Sequence, residues 1–184
     1  MNKQIELEYK MILTPRQFSY IKNKYPFTYP VKQTNYYFDN PSKELSEKRY
    51  ALRIREIDNS YILTLKIPQK IGVLELEQEI PAMQIQKELL SQPLQDALSF
   101  LQISELSCFG SLTTYRSTLD LPDAVVCLDE NFYHNHHDYE IEYEVKNDHD
   151  SYPAFLSFLR DCKIRRHVPA KGKARRVKQA VHFL

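Results

Sequence analysis

The sequence predicts a mainly β protein of the α+β class, in which eight antiparallel strands close into a barrel, or tunnel, with a charged lumen and flanking helices. Stretches of alternating apolar and polar residues recur eight times, and eight strands suffice to close a barrel. Most of these stretches carry charged residues on one face. Because the chain contains only 3 glycines and no linker-like tract, residues 1–184 are expected to form a single domain.

The composition excludes several classes of protein. Charged residues make up 27% of the chain but the net charge is only +1, so no global basic field is expected to attract nucleic acid. Cys108, Cys127 and Cys162 form no C-x-x-C pair, which argues against a disulfide framework and against a zinc site. The amino terminus has no apolar signal region, and no segment approaches the length of a membrane span. We therefore expect a cytoplasmic monomer or homodimer without nucleic-acid or membrane partners.

The alternation places the eight strands and assigns each side chain to a face. The strands are expected near residues 4–11, 32–38, 50–56, 61–67, 73–80, 112–119, 124–130 and 138–146. Successive side chains of a strand point to opposite faces, so Glu6, Glu8 and Lys10 of IELEYK share one face. Apolar residues of the opposite parity are expected to face outward beneath helices, among them Ile5, Leu7, Leu65, Leu76 and Ile141.

Charged faces recur on most of the strands. Arg53 and Arg55 share a face of YALRIREI, and Glu75, Glu77 and Glu79 share a face of VLELEQEI. The same parity argument selects, on the other strands, Lys66, Arg116, Asp129, Glu140, Glu142 and Glu144. An open antiparallel sheet whose charged face lies in water is the alternative. Blocks of like charge on single strands favour closure around a wet, charged lumen.

The first helix is expected directly after the first strand. In LTPRQFSYIKNKYP, Thr14 is a suitable cap and Pro15 suits the first turn. Phe18, Ile21 and Tyr25 form its apolar stripe. The spacing of these residues predicts a short amphipathic helix that packs on the sheet.

Two further helical regions are expected to plug or flank the barrel, and the tail is expected to form a fourth helix docked on the sheet. The first covers about residues 82–103 and is expected to break near Pro93. The second begins at Ser151, and the tail covers residues 171–184. Their apolar stripes comprise Leu94, Leu98 and Leu101, then Phe155, Phe158, Leu159 and Cys162, then Val177, Ala180, Val181 and Leu184. The basic stretch KIRRHVPAKGKARR is expected to close one mouth of the barrel.

Charges of both signs in one lumen suggest a particular kind of ligand. Guanidinium groups bind phosphate oxygens in a bidentate manner, and an ammonium group binds them as a point charge. Clustered carboxylates suit hard divalent cations such as Mg²⁺ or Mn²⁺. A lumen that carries both sets suits a metal-bound polyanion.

These residues, in this order, resemble the CYTH superfamily of triphosphate tunnel metalloenzymes, and within it the stand-alone bacterial proteins of the YjbK type. The resemblance extends from residue 4 to about residue 176. It is carried by E-x-E-x-K at Glu6, Glu8 and Lys10, R-x-R at Arg53 and Arg55, Lys66, E-x-E at Glu75 and Glu77, Arg116, Asp129, E-x-E at Glu140 and Glu142, and K-x-x-R at Lys173 and Arg176. The segment QTNYYFDN, with Tyr37 and Asp39, is similar to the second strand of the family and its following turn.

The resemblance implies a triphosphatase that depends on Mg²⁺ or Mn²⁺ and hydrolyses inorganic triphosphate or a small organic triphosphate, its small-molecule partner. The implied substrate-binding residues are Lys10, Arg53, Arg55, Lys66, Arg116, Lys173 and Arg176. The implied metal ligands are Glu6, Glu8, Asp129, Glu140 and Glu142. Lys10, Glu75 and Glu77 are the catalytic candidates, with one of the two glutamates orienting or deprotonating the attacking water. The alternatives are an adenylyl cyclase of the CYTH type and a sensor that binds triphosphate or polyphosphate without turnover.

Three features leave choices open. Thr114 stands where family members often carry a basic residue, so one phosphate contact is absent or supplied elsewhere. Glu79 and Glu144 share the parity of the chosen glutamate pairs, which leaves the register of both triplets undecided. The run HNHHD is interpreted as a hydrophilic loop between the last two strands rather than as a metal site.

Overall fold

The computed structural model describes residues 1–146 and 151–181. Within these ranges a single antiparallel sheet of nine strands dominates the fold. The strands are β1 Asn2–Glu6, β2 Glu8–Leu13, β3 Val31–Asp39, β4 Ala51–Ile57, β5 Ser60–Pro68, β6 Val73–Ile80, β7 Ser107–Asp120, β8 Ala124–Tyr133 and β9 His136–Val145. The helices are α1 Pro15–Lys24, α2 Glu44–Glu47, α3 Gln92–Ala97, α4 Ser151–Asp161 and α5 Lys173–Val181.

The two edge strands of the sheet are neighbours in the chain. The spatial order is β1-β6-β5-β4-β3-β7-β8-β9-β2, so β1 pairs with β6 and β2 pairs with β9. Only Leu7 separates these two edge strands, and its carbonyl accepts a hydrogen bond from the Val145 amide. The sheet therefore curls until its two edges meet at Leu7. This geometry confirms the predicted mainly β fold with a curled antiparallel sheet and a tunnel.

The predicted count of eight strands is wrong by one. The segment 4–11 was expected to form a single strand, but the structure divides it at Leu7 into the ends of β1 and β2. The reason is a change of partner, because β1 forms its ladder with β6 and β2 forms its ladder with β9. The alternation of apolar and charged residues continues through Leu7, so it does not reveal that the strand ends there.

Two apolar clusters cover the outer face of the curled sheet. In the first, α1 and α4 pack on strands β2, β8 and β9, with Ile21 and Phe155 fully buried against Ile141. In the second, the region around α3 packs on strands β4 to β6, with Leu94 buried against Leu65. Removal of these surfaces from water is the main stabilising term of the fold.

The outward-facing apolar residues are mostly covered, as predicted. Leu65, Leu76 and Ile141 are buried, and Leu7 is half-buried. Ile5 is 68% exposed, so the expectation that a helix covers it is wrong. The apolar clusters that contain the helices do not extend over edge strand β1.

The predicted start of α1 is confirmed. The Thr14 side chain accepts a hydrogen bond from the Gln17 amide, and the Gln17 side chain accepts one from the Thr14 amide, which forms a capping box. Pro15 occupies the first turn, where its missing amide hydrogen removes no hydrogen bond. Phe18 and Ile21 are buried, as the stripe requires.

The second helical region differs from the expectation. Residues 82–103 contain the short helix α3 and the 3₁₀ turn Lys87–Leu89 rather than one long helix broken near Pro93. Pro93 lies in the first turn of α3, so it starts a helix instead of breaking one. The apolar stripe is nevertheless buried, since Leu94, Leu98 and Leu101 are 8% exposed or less.

The carboxyl-terminal helices largely follow the prediction. In α4, Phe155 and Leu159 are buried, Cys162 follows them into the same core, and Phe158 packs half-buried against it. The tail forms α5, in which Val177 and Ala180 are buried. The expected position of Leu184 lies outside the described residues. No helix in the described ranges is long and apolar enough to cross a membrane.

The run HNHHD forms a tight hairpin rather than a loop. His134 has a positive φ of 49° and, with Asn135, connects β8 to β9. His136 stacks on Tyr133, and His137 stacks on Phe132. These cross-strand ring contacts account for two of the histidines.

Candidate active site

The curled sheet encloses a cavity of about 220 Å³, which we call the tunnel cavity. Ten of the fourteen residues predicted for the site line it, namely Glu6, Lys10, Arg53, Arg55, Lys66, Glu75, Glu77, Arg116, Glu142 and Lys173. The other four, Glu8, Asp129, Glu140 and Arg176, pair with lining residues or with one another. The strand registers explain the gathering, because residues directly opposite in an antiparallel ladder share a face. Arg116, for example, lies opposite Asp129, which lies opposite Glu140.

Three buried carboxylates on β8 and β9 form what we call the acid cluster, Asp129, Glu140 and Glu142. One oxygen from each lies within 4.8 Å of the others. The Lys173 Nζ atom is 2.8 Å from Asp129 Oδ2 and 2.7 Å from an oxygen of each glutamate. The Arg116 guanidinium donates two hydrogen bonds to Asp129, at 2.8 and 2.7 Å, and also pairs with Glu142. The acid cluster is therefore neutralised by side chains of the protein.

The electrostatics of the acid cluster keep Asp129 and Glu142 ionised. Burial would raise the pKa of Glu142, but the charges of Lys173 and Arg116 outweigh it and hold that pKa well below its ordinary value. The pKa of Asp129 is lowered in the same way, against its burial, by Arg116 and Lys173. Burial would lower the pKa of Lys173, but the three carboxylates raise it well above the ordinary lysine value. Lys173, Asp129 and Glu142 thus carry full charges in a buried environment.

Arg176 lies behind the acid cluster rather than in the tunnel cavity. Its Nη1 and Nη2 atoms donate to the two carboxylate oxygens of Glu140 at 3.0 and 2.8 Å. Its Nε atom is 3.3 Å from Asp138. The structure therefore gives this predicted phosphate contact a carboxylate partner, and Arg176 lines a separate surface pocket.

Helix α5 occupies one end of the lumen. Its buried Val177 and Ala180 pack against Tyr37, Leu112 and Tyr133, which have the lumen parity of their strands. A Cβ atom on Gly110 would lie 2.7 Å from Val177 Cγ1, so glycine is what allows the helix to approach β7 this closely. The first residue of α5 is Lys173, which is why the helix brings this ammonium group to the acid cluster. The basic tail thus covers one mouth of the tunnel, as the sequence suggested.

Another side of the tunnel cavity carries two arginines for which the described part of the chain supplies no ion-pair partner. We call Arg53, Arg55 and Tyr37 the arginine wall; Arg53 is 8% exposed and Tyr37 is 2% exposed. The Arg55 Nε atom donates to Asn35 Oδ1 at 3.2 Å. In the described part of the chain, neither arginine forms an ion pair, and the buried Arg53 Nε and Tyr37 hydroxyl have no hydrogen-bond partner. Buried donors of this kind normally have a partner, so this surface suits an anionic ligand.

The pKa of Arg55 reflects this excess of positive charge. The pKa of Arg55 is lowered to about 10, first by burial and then by the neighbouring charges of Arg53 and Arg116, against a smaller opposite effect of Glu77. A guanidinium group with so low a pKa gains stabilisation when an anion binds beside it. The site is therefore electrostatically prepared for negative charge.

Two lysines on the remaining strands are already paired. Lys66 binds Glu6 at 2.6 Å and also Glu75, while Lys10 binds Glu8. Burial, together with the other carboxylates, raises the pKa of Glu6 to about 7 in spite of Lys66. Burial would raise the pKa of Glu75, but Lys66 lowers it overall. Glu6 can therefore hold a proton near neutral pH.

The five predicted metal ligands are not gathered into one set. Asp129, Glu140 and Glu142 form the acid cluster, whereas Glu6 and Glu8 lie on the strands at the seam and pair with lysines. The order of these residues in the sequence could not predict the division into two groups, because the distances between strands across the lumen depend on how the sheet closes. The structure also shows which members of the two glutamate triplets reach the lumen. Glu75, Glu77, Glu142 and Glu144 line the tunnel cavity, whereas Glu79 is exposed. Glu140 lies buried behind the lining.

Four uncharged polar residues of the lining were not predicted as site residues, Gln4, Gln33, Asn35 and Tyr37. Gln33, Asn35 and Tyr37 alternate along β3 with the lumen parity, which is the signal that could have found them. Uncharged polar residues are also common on solvated sheet faces, so the signal is weak. Thr114, at the position of the expected basic residue, is buried and donates to Asn131 Oδ1 at 2.7 Å.

The fold and the site define a class, that of tunnel proteins whose lumen carries dense charges of both signs. A CYTH domain model matches residues 4–166, so the chain belongs to the CYTH family. The chain is 35% identical over 170 residues to YjbK of Bacillus subtilis, a protein with a provisional triphosphatase name, and the match covers 89% of this chain and 90% of that protein. Helix α5 lies beyond the family match.

Two solved structures are similar over most of the chain. One is a Bacillus halodurans protein provisionally named an adenylate cyclase, with a TM-score of 0.86, 29% identity and coverage of 96% of this chain and 98% of that one. The other is a Hippeastrum protein provisionally named an adenylyl cyclase and described as having a dominant triphosphatase activity. It has a TM-score of 0.73, 25% identity and coverage of 96% of both chains. The names of these relatives thus point to triphosphate chemistry.

Proposed function

We propose that this protein is a metal-dependent triphosphatase that hydrolyses a phosphoanhydride bond of inorganic triphosphate or of a small organic triphosphate inside the tunnel. The observation that carries the proposal is the juxtaposition, around one cavity, of a cluster of buried carboxylates and two arginines that have no ion-pair partner among the described residues. A polyanion would neutralise the first and a divalent cation would suit the second. The names of the relatives favour the same reaction class.

The arginine wall is the proposed phosphate side. Guanidinium groups of Arg53 and Arg55 would bind phosphate oxygens, and the Tyr37 hydroxyl supplies a further donor with no present partner among the described residues. Phosphoryl transfer passes through a loose transition state with charge spread over the oxygens, so fixed cations lower its barrier. Lys10 and Lys66 line the same cavity and are proposed to contribute after release from their carboxylate partners.

The acid cluster is the proposed metal side. Three carboxylates with oxygens within 4.8 Å of one another are a donor set that fits Mg²⁺ or Mn²⁺. Such an ion, when bound, would lower the pKa of a water and offset phosphate charge. The Lys173 ammonium group and the ion would compete for these oxygens, and its flexible stem lets the lysine bind phosphate instead. Glu6 and Glu8 are proposed as additional ligands from the seam.

The attacking water is proposed to be positioned by Glu75 or Glu77. Both carboxylates line the tunnel cavity next to the arginine wall, on strand β6. The Thr64 hydroxyl donates to Glu77 at 2.9 Å, which fixes the orientation of that carboxylate. A carboxylate held in this way can orient a water or accept its proton.

The test is release of phosphate from tripolyphosphate by the purified protein, with Mg²⁺, with Mn²⁺ and with excess chelator. We expect turnover with at least one metal and none with chelator. Full activity in chelator would contradict the metal role, and absence of turnover with every triphosphate would contradict the enzymatic role. Product analysis with ATP separates the alternatives, since cyclic AMP would indicate a cyclase and tight binding without any product would indicate a sensor.

A further inference from the structure

Part of the outer surface of the sheet lies between the two helix-covered clusters. Those clusters lie mainly on strands β2, β8 and β9 and on strands β4 to β6. Between them, side chains of β3, β7 and the end of β8 are half-buried or exposed, and they alternate with Gln33 and Arg116, which line the tunnel cavity. We call this outward surface the open face; it consists of Lys32, Thr34, Thr113, Tyr115, Glu130 and Phe132.

The aromatic rings of the open face are accessible, yet they are ordered by contacts with their neighbours. Tyr115 is 39% exposed and Phe132 is 40% exposed. The two rings meet edge-on at a centroid distance of 5.9 Å, and Phe132 stacks on His137 at 4.4 Å. Beside them, the hydroxyl oxygens of Thr34 and Thr113 are hydrogen-bonded at 3.1 Å. Aromatic residues are enriched at protein interfaces, and rings held in place lose little conformational entropy when a partner covers them.

A row of directly opposed residues crosses the open face and carries opposite charges at its two ends. The row runs from Lys32 on β3 through Tyr115 on β7 to Glu130 on β8. The cation and the carboxylate thus lie one strand to either side of the central tyrosine. The row has opposite charges at equal distances from β7.

A second row, next to the first, has the same property over five strands. From β4 to β9 it consists of Glu56, Thr34, Thr113, Phe132 and His137. The Glu56 carboxylate and the His137 imidazole therefore lie two strands from β7 on opposite sides. The centre of each row is uncharged, and its ends are complementary to each other.

The two rows make the open face complementary to itself. A two-fold axis parallel to β7, placed between two copies, sets Lys32 of each copy opposite Glu130 of the other. The same axis sets Glu56 opposite His137. Sheets that pack face to face lie about 10 Å apart, a distance that a lysine and a glutamate together can span. Their strand directions differ by about 30°, which displaces residues one strand from the axis by only about 2–3 Å.

We propose that the open face binds a second copy of this chain and forms a two-fold symmetric dimer centred on Tyr115. The inference goes beyond the proposed triphosphatase function, because the residues of the open face do not line the tunnel cavity. A curled sheet touches its copy over only a few strands, so the contact lies at the low end of the size range for specific interfaces. The dissociation constant of the dimer is therefore expected to be on the order of 10 μM.

The test is sedimentation velocity of the purified full-length chain from about 1 μM to about 500 μM, on both sides of the expected Kd. The variants are Lys32→Glu, Glu130→Lys and the double variant that carries both changes. Each single change sets like charges opposite each other twice per dimer, so Kd should rise at least about tenfold. The double variant restores both ion pairs with their signs exchanged, so its Kd should return to within about threefold of the wild-type value.

Matched controls and an independent variant complete the experiment. Lys70→Glu and Glu105→Lys make the same charge changes at exposed residues outside the open face and should leave Kd unchanged. Tyr115→Arg sets two cations beside each other at the axis and should abolish the dimer without touching either ion pair. Thermal unfolding of each variant verifies its fold, and phosphate release is assayed separately, so failure of the triphosphatase proposal does not affect this result.

Three outcomes would overturn the inference. A wild-type chain that stays monomeric over the whole concentration range would leave the open face to a different partner. A dimer that withstands Lys32→Glu and Tyr115→Arg would use another surface. Single variants that dissociate, with no recovery in the double variant, would contradict the pairing of Lys32 with Glu130 about a two-fold axis.

Discussion

The arginine wall and the acid cluster border the same cavity, and both contain buried charged side chains. In the acid cluster, each carboxylate accepts ion pairs from Lys173, and Arg116 adds further pairs. In the arginine wall, Arg53 and Arg55 have no ion-pair partner in the part of the chain that the structure describes. A buried charge that is paired contributes to folding, whereas one that is unpaired destabilises the free protein and is available to a ligand. The comparison thus distinguishes the acid cluster, whose charges are compensated within the protein, from the arginine wall, which is available to bind a ligand.

The largest effect is expected when the acid cluster loses its ammonium group. Lys173→Met keeps the volume of the side chain but leaves three buried carboxylates with less compensation, so the free energy of unfolding should fall by about 3–5 kcal/mol. Added Mg²⁺ should then raise the Tm of the variant more than that of the wild type, because the ion replaces the lost cation. Thermal unfolding with and without Mg²⁺ measures both effects.

A matched control for this experiment is Lys171→Met, an exposed lysine near the start of the same helix. The control should unfold like the wild type and show no additional metal effect. If Lys173→Met were as stable as the wild type, the ammonium group would not be the counter-ion of the acid cluster.

The next effect concerns the arginine wall and should have the opposite pattern. Arg55→Ala removes a half-buried cation that has no ion-pair partner in the described ranges, so the Tm should stay the same or rise. The value of kcat/KM for tripolyphosphate should fall by an amount that corresponds to about 2–4 kcal/mol in the activation barrier. Added metal should not restore the rate, since the missing contact is to phosphate. Steady-state kinetics and thermal unfolding of one preparation give both values. Wild-type turnover in a folded Arg55→Ala variant would remove the arginine wall from the proposed site.

The smallest effect is expected at the Tyr37 hydroxyl. Tyr37→Phe removes a buried hydroxyl without a partner among the described residues and keeps the ring stack on Phe109, so stability should be equal or slightly higher. If that hydroxyl donates to the ligand, kcat/KM should fall by about tenfold, close to 1.4 kcal/mol. A stability loss with unchanged kinetics would mean that the hydroxyl serves the fold instead.

The local signals in the sequence were strong where one physical rule acts alone. Thr14 and Pro15 predicted the start of α1, because capping needs only neighbouring residues. Pro93 was misjudged because a proline can either break a helix or begin one, and the packing of Leu94 and Leu98 on the sheet selected the second role. The hairpin at His134 was likewise missed, since its turn contains no glycine.

The sequence by itself determined which side chains face the lumen, because alternation in a strand leaves only two choices and the apolar residues take one of them. Arg53, Lys66, Arg116 and Glu142 could be selected by parity for this reason. Only the tertiary structure decided which charges meet. Closure at Leu7 and the insertion of α5 put Lys173 among three carboxylates, whereas Arg53 pairs with no carboxylate of residues 1–146 and 151–181. Coulomb interactions depend on distances across the lumen, and these distances are set by the curl of the whole sheet rather than by any local pattern.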